Sequence, residues 1–362
     1  MIRFIIFIAS LLMSTVVFGQ STNLSEYFSS NKEEPGGILL IKKKDETKSY
    51  YHGLANQEKK LPISPDTRFR MASVSKQFTA MAVYLLIQQN KISFDTPIKS
   101  IFPEFPPACD SIKVKHLLNH SSGLADYENV IPETQKNQLS DLDVLNLIKG
   151  LDNVYFEAGS QFRYSNTAFC LLSLIVERIA VERYGDFCQR EIFKKLDMQT
   201  AQISAPEGFE NRAFGYHPSQ STFEFADQSI TSATRGDGGV YISASDFAKW
   251  MDQRNSLFND QFYKDLEFHK IAVKDDVYYS LGFFVTKSSN EDLTLFHSGE
   301  STGFHNIMLF QPGRDLGLSL FTNRDDLYIV DIFQKAIKSE NIEIPTIREP
   351  LFLWLNKVYS GQ

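Results

Sequence analysis

Long apolar runs, cysteines and basic charge are all scarce in this sequence, and each shortage narrows what the protein can be. After residue 19 no stretch approaches 18 consecutive apolar residues, so the mature chain offers no candidate membrane-spanning helix and no stable transmembrane anchor is expected. The three cysteines, Cys109, Cys170 and Cys188, are an odd number that cannot pair completely within one chain. Cys170 lies in Ala168-Phe169-Cys170-Leu171-Leu172 and reads as a buried free thiol acting as a small hydrophobe, while a Cys170–Cys188 bridge stays open. Positive charge is outweighed: the net charge is −7, and −8 once Arg3 leaves with the N-terminal segment, a balance that disfavours nucleic acid as a partner. Lys42-Lys43-Lys44 is followed by Asp45-Glu46 and reads as a turn between strands. Internal repeats and low-complexity linkers are missing as well. His116 and His120 have the i, i+4 spacing of a zinc pair, but no glutamate follows His116, so neither metal nor cofactor is expected.

What remains is a chain of 362 residues with 43% hydrophobic content, enough for a large core in one two-lobed domain or two domains. Its first residues stand apart. Met1-Ile2-Arg3 gives a positive start, Phe4 to Phe18 an apolar stretch, and Val17-Phe18-Gly19 a small-residue cleavage site before Gln20. Residues 1–19 therefore read as a signal peptide and the mature protein as secreted or periplasmic, with an uncleaved anchor as the alternative. No cysteine closely follows the apolar segment to accept a lipid.

Strand-like segments lie at both ends and helical ones between them. Gly37 to Lys43 and Ser49 to Gly53 form a hairpin pattern around Lys44-Asp45-Glu46. Tyr278 to Thr286, Leu293 to His297, His305 to Gln311 and Gly317 to Thr322 read as further strands, punctuated by turns such as Gln311-Pro312-Gly313-Arg314. Helical patterns occupy Ser73 to Gln89, Asp141 to Lys149, Thr167 to Ala180, Ser245 to Met251 and Leu327 to Ile337. The expected fold is α/β (α+β): the two ends share one sheet flanked by helices, with an all-α insertion. A folded body over 20–340 is then followed by a tail, 341–362, whose Leu351-Phe352-Leu353-Trp354-Leu355 is expected to pack against it.

Three short motifs carry the chemistry: Ser73-Val74-Ser75-Lys76, Tyr164-Ser165-Asn166 and His297-Ser298-Gly299. A serine hydroxyl is a poor nucleophile at neutral pH, so acyl transfer needs a base beside it and donors for the developing oxyanion. None of the motifs is specific alone, since Ser29-Ser30-Asn31-Lys32 and Tyr127-Glu128-Asn129 repeat two of them. Context separates them. Ser73 opens a run with Phe78, Met81, Ala82, Leu85 and Leu86 at helical spacing, which puts Ser73 and Lys76 on one face, whereas Ser29 lies in a polar stretch. The bland alternative is an N-cap serine followed by a solvated lysine.

The surrounding text resembles the serine β-lactamase-related family of class C β-lactamases, D,D-peptidases, D-aminopeptidases and esterases. The resemblance runs through Pro65-Asp66-Thr67-Arg68-Phe69-Arg70, Lys76-Gln77-Phe78-Thr79-Ala80, Phe94-Asp95-Thr96-Pro97 and His116-Leu117-Leu118-Asn119-His120-Ser121-Ser122-Gly123-Leu124. It continues through Phe156-Glu157-Ala158-Gly159-Ser160-Gln161-Phe162-Arg163, Gly238-Gly239-Val240, Ser243-Ala244-Ser245-Asp246 and Trp250. It implies an antiparallel sheet with the active site between two lobes. It further implies Ser73 as nucleophile, and Lys76 and Tyr164 as the proton-transfer pair with the base left open between them. Asn166 would hold Lys76 or bond a substrate amide, and the backbone N–H groups of Ser73 and Glu300 would form the oxyanion hole. Gly299 would let the strand approach the substrate closely.

Two departures matter. His297 stands where class C β-lactamases carry lysine, which tells against strong β-lactamase activity and favours the His-x-Gly form of D,D-peptidases and D-aminopeptidases. Ala158 stands where proline is usual. His297, Ser298, Gly299 and Glu300 are thus expected at the substrate, a small molecule or short peptide with an acyl group: a D-amino-acid peptide, a β-lactam or an ester. Asp237, before Gly238-Gly239, reads as ordinary turn chemistry and is not assigned a catalytic part. The expected activity is that of a penicillin-binding D,D-peptidase or D-stereospecific peptidase, with a β-lactamase or esterase, and a non-catalytic sensor, as alternatives.

Overall fold

The computed structural model describes residues 27–28, 31–203, 211–252 and 254–361; the expected signal peptide and Ser29 lie outside them. The chain opens on a hairpin, β1 (Gly37–Lys43) and β2 (Glu46–His52). The helices α1 (Lys76–Gln88), α2 (Asp141–Ile148), α3 (Asn166–Ala180) and α4 (Ala244–Trp250) follow. Strands β3 (Ile271–Lys274), β4 (Val277–Ser280), β5 (Phe283–Lys287), β6 (Leu293–Ser301), β7 (Phe304–Gln311) and β8 (Leu316–Thr322) come next. Helices α5 (Tyr328–Ser339) and α6 (Leu351–Tyr359) close the chain.

The eight strands form one antiparallel sheet in the order β3-β4-β5-β6-β7-β8-β1-β2, so the two ends of the chain meet at β8 and β1. Composition explains the arrangement. β1 reads Ile38-Leu39-Leu40-Ile41, apolar on both faces, and all four are buried, as a strand covered on two sides requires. β2, at the edge, alternates exposed and partly buried residues. Helix α4 packs on β1 and α5 on β8, while α3 packs against both α1 and α2. Each fully buried leucine or phenylalanine in these faces contributes about 1.5–3 kcal/mol.

Several sequence expectations are refined. Tyr278 to Thr286 is not one strand: Leu281 (φ +47°) and Gly282 (φ +84°) reverse the chain between β4 and β5. A Cβ on Gly282 would sit 2.8 Å from the Lys76 carbonyl oxygen, so this turn presses on the start of α1. Lys42 and Lys43 belong to β1 rather than a turn, and Lys42 is buried with its ammonium 2.6 Å from Asp315. The helical insertion also carries a three-stranded sheet of Arg68–Arg70, Val240–Ser243 and Gln202–Ile203. Cys109, Cys170 and Cys188 are free, buried thiols. No described helix is long and apolar enough to cross a membrane. The tail packs against the body through α6, whose Leu351, Phe352, Trp354, Leu355 and Val358 are buried against α5 and β6.

Candidate active site

Ser73 does not begin the α-helix as its sequence pattern predicts; it lies in a 3-10 turn, Ala72–Ser75, just before α1. Ala72 holds φ +47°, a left-handed conformation that costs a non-glycine residue about 1–2 kcal/mol. This strained turn is pinned from beneath by β6. A Cβ on Gly299 would lie 2.3 Å from the Met71 carbonyl oxygen and 2.9 Å from the Ser73 nitrogen. Gly299 thus lies in close contact with the nucleophile's own backbone.

Lys76 is fully buried and its ammonium has three acceptors: Ser73 Oγ at 2.8 Å, Asn166 Oδ1 at 2.7 Å and the Asp237 carbonyl at 2.8 Å. Loss of water pushes its pKa down to about 8, only partly opposed by the charge of Asp237. The neutral amine would keep two N–H donors for Asn166 and Asp237 and turn its lone pair to Ser73.

Ser165 caps α3, accepting from the Ala168 N–H, and this cap sets Tyr164 and Asn166 on either side of it in the cleft. Asn166 then spans two groups, since its amide nitrogen donates to Glu128 Oε1 at 2.9 Å. The Tyr164 hydroxyl is buried without a hydrogen-bond partner among the described residues, although the Ser73 side chain is close enough to ease its ionisation. Burial, with Tyr359 and Tyr279 beside it, holds the phenol far above its ordinary range. Lys76 Nζ lies 5.0 Å from the Tyr164 ring centre. The same ring meets aromatic neighbours, with His120 and Tyr359 centred 4.4 and 4.5 Å away.

His297 and Ser298 lie beneath the cleft and are completely buried. His297 is bracketed by Tyr279 Oη at 3.2 Å and the Ser298 carbonyl at 2.5 Å, and burial lowers its pKa to about 3. A neutral, enclosed imidazole cannot present a charge to a substrate carboxylate. Glu300 instead lines the cavity. β5 pairs with β6 only as far as Phe284 and Phe296, so from His297 onward β6 has an open edge. The Ser298 N–H leaves the ladder on that edge and donates to Tyr359 Oη at 3.4 Å. The period of two in a strand points the Glu300 N–H the same way, towards Ser73.

The cavity over Ser73 has a volume of about 410 Å³ and is lined by Ser73, Asp126, Glu128, Tyr164, Asn166, Glu300, Asn356, Tyr359 and Ser360. Three carboxylates and no cation are among these residues. Asp126 is paired with Arg163 at 3.3 Å. Desolvation raises the Glu128 and Asp126 pKa values and lifts Glu300 to about 7, even though 33% of the Glu300 side chain reaches solvent.

Sequence patterns missed part of this wall. Glu128 belongs to the Tyr-x-Asn repeat set aside as accidental, and Tyr359 to a tail with no motif. Asp237 serves Lys76 through its backbone carbonyl, which any residue type supplies. Its segment is fixed by Asp141, at the start of α2, which accepts the N–H groups of Arg235 and Gly236 at 3.1 Å each. Asp141, Cys170 and Asp237 bring potential metal-ligating atoms within 4.8 Å of one another, but the Asp141 oxygens are already engaged by those N–H groups. His116 and His120 face different partners, the backbone N–H groups of Lys113 and Ser165. Replacing Asp141 leaves two N–H donors without their acceptor. Asp141→Ala is expected to destabilise the fold by about 1–3 kcal/mol in urea unfolding; an unchanged midpoint would show that the contact is dispensable.

The profile of the Beta-lactamase family matches residues 24–330. Penicillin-binding protein 4* of Bacillus subtilis (strain 168) is 26% identical over 302 residues, covering 76% of this chain and 66% of that protein. This chain thus spans slightly under two-thirds of that curated relative's length. Among solved structures, a penicillin binding protein from Bacillus halodurans superposes with a TM-score of 0.74 at 26% identity, covering 84% of this chain and 96% of that one. The D-amino acid amidase from Ochrobactrum anthropi SV3, complexed with L-phenylalanine amide, has a TM-score of 0.70 at 21% identity, covering 85% and 95%; that likeness is one of fold.

Proposed function

The chain belongs to the Beta-lactamase family, and on that premise we propose that it is a serine hydrolase forming an acyl-enzyme at Ser73. The observation that carries this reading is the 2.8 Å contact between the Nζ of fully buried Lys76 and Ser73 Oγ. Neutral Lys76 takes the Ser73 proton as the hydroxyl attacks the substrate carbonyl. Lys76 is the better base of the two, because burial lowers its pKa to about 8 while it raises that of Tyr164. The oxyanion is received by the N–H groups of Ser73 and Glu300. Tyr164, held neutral, gives its proton to the departing amine and regains one from Lys76. Water then attacks the acyl-enzyme by the reverse route, returning a proton to Ser73.

The substrate class follows from charge. The carboxylates of Asp126, Glu128 and Glu300 line the cavity, and its lining residues include no cation; burial disfavours the charged forms of Glu128 and Glu300, which suits an acyl donor that carries a free ammonium group. Together with the fold neighbour named as a D-amino acid amidase, this supports D-amino-acid amides and short D-peptides with a free amino end. The second reading, a penicillin-binding D,D-peptidase, is supported by the two relatives of that name at 26% identity. Export belongs to the proposal too, on the strength of the positive start, apolar stretch and small-residue site before Gln20.

The deciding experiment compares D-phenylalanine amide with its N-acetyl derivative. We expect kcat/KM to fall at least tenfold on acetylation, and equal rates would overturn the amine reading. The pH profile offers a second check. Glu300 ionises through about pH 7 and Lys76 becomes neutral through about pH 8, so both changes raise kcat/KM for the amine substrate between pH 6 and 8. The N-acetyl derivative has no amine to titrate, so a rate for it that falls across that interval would exclude Lys76 as the base.

A further inference from the structure

The helix that closes the chain, α6, lies wholly outside the stretch matched by the family profile, yet it builds one wall of the cavity over Ser73. It is firmly seated. Trp354 is buried and its indole N–H donates to Asp275 Oδ2 at 2.9 Å, while Leu351, Phe352, Leu355 and Val358 face the body. This seating delivers Asn356 and Tyr359 to the cleft, and Tyr359 reaches the Ser298 end. Its oxygen lies 2.9 Å from Ser298 Oγ, 3.4 Å from the Ser298 nitrogen and 3.4 Å from His297 Nδ1, and its ring packs on Tyr164.

This position has a chemical meaning. The Ser298 hydroxyl and N–H converge on one point at the open edge of β6, just where β5 stops pairing. Two converging donors on an open strand edge would hold an anionic oxygen better than a neutral one, because hydrogen bonds to a charged acceptor are roughly twice as strong. Here a neutral phenol oxygen from the same chain fills that point, and Ser298 has no exposed surface left. A donor bearing a carboxylate on this side of its reacting carbonyl would have to displace Tyr359 and would also face Glu300.

Resting on the reading of Ser73 as nucleophile, we propose that Tyr359 is a specificity-determining residue that closes the Ser298 end of the cleft to carboxylate-bearing acyl donors. Penicillins and peptides ending in a free D-residue carboxylate are thereby disfavoured, and amides without that group are admitted. The carboxylate-accepting site is latent in β6 and is covered by the tail.

The test uses the full mature chain and two serine-directed probes, a penicillin and an uncharged fluorophosphonate, on wild type, Tyr359→Phe and Tyr359→Ala. Penicillin reaction is counted as adduct plus hydrolysed drug, and its initial rate is divided by the phosphonate labelling rate of the same protein. The expected ratio rises at least tenfold in Tyr359→Ala and about threefold in Tyr359→Phe. Tyr359→Phe keeps the ring on Tyr164 and removes only the oxygen, so it decides the matter should the alanine variant not fold. A ratio equal to that of wild type in the folded variants overturns the role of Tyr359 and leaves the serine hydrolase intact. Absence of phosphonate labelling in wild type overturns both.

Discussion

Ser73→Ala is expected to lower hydrolysis of D-phenylalanine amide by at least about ten-thousandfold, because the residue supplies the atom to which the acyl group is bound. The fold should survive. Ser73 Oγ is one of three acceptors around Lys76, and losing it costs on the order of 1 kcal/mol while Asn166 Oδ1 and the Asp237 carbonyl remain. Intact-mass measurement supplies the second arm: the fluorophosphonate should add once to wild type and not at all to the variant. The control is Ser29→Ala, which removes the other Ser-x-x-Lys serine and should keep full activity. Residual hydrolysis above about one part in ten would place the nucleophile elsewhere.

Lys76→Met carries the second large effect. A methionine matches the lysine stem in length but offers neither lone pair nor N–H, so Ser73 loses its base and kcat/KM should drop by about 10²–10⁴. Stability should respond differently, and with a pH signature. The native lysine has a pKa of about 8 against 10.5 for an ordinary one, so between those values the unfolded chain binds more protons than the native protein. The lysine's contribution to stability is therefore flat and least favourable below pH 8 and rises from pH 8 to about 10. The stability of Lys76→Met relative to wild type should accordingly fall over that interval in urea unfolding. A relative stability independent of pH would mean that the buried amine is not perturbed, and the assignment of Lys76 as base would lose its support.

Local chemistry is what made the outline of this protein readable. The run Ile38-Leu39-Leu40-Ile41 is apolar on both faces and became a covered central strand. Ser165 ahead of an apolar helical pattern is an N-cap, and capping geometry then fixed where Tyr164 and Asn166 stand. Ser73 and Lys76, three residues apart, met because that spacing turns both to one side even across a 3-10 turn into a helix. Periodicity was less informative where a reversal carried no obvious turn chemistry. Leu281-Gly282 splits one apparent strand because the β-branched and aromatic residues around it satisfy a single run as well as two.

The sequence by itself pointed to the proposed nucleophile, its two proposed partners, the strands and the helices through residue type and spacing within a few positions, and the family resemblance implied that the sheet is antiparallel. Only the tertiary structure decided which groups line the cavity over Ser73 and which are buried away from it. His297 is enclosed, Gly299 lies against the nucleophile turn, and Asp237 holds Lys76 through a carbonyl that any residue type supplies as well as through its side-chain charge. Glu128 and Tyr359 come from a loop and a tail whose sequences announce nothing, and they reach Ser73 because α3 and α6 pack where they do. Burial and long-range packing set a group's charge and reach, and neither is encoded in the residues beside it.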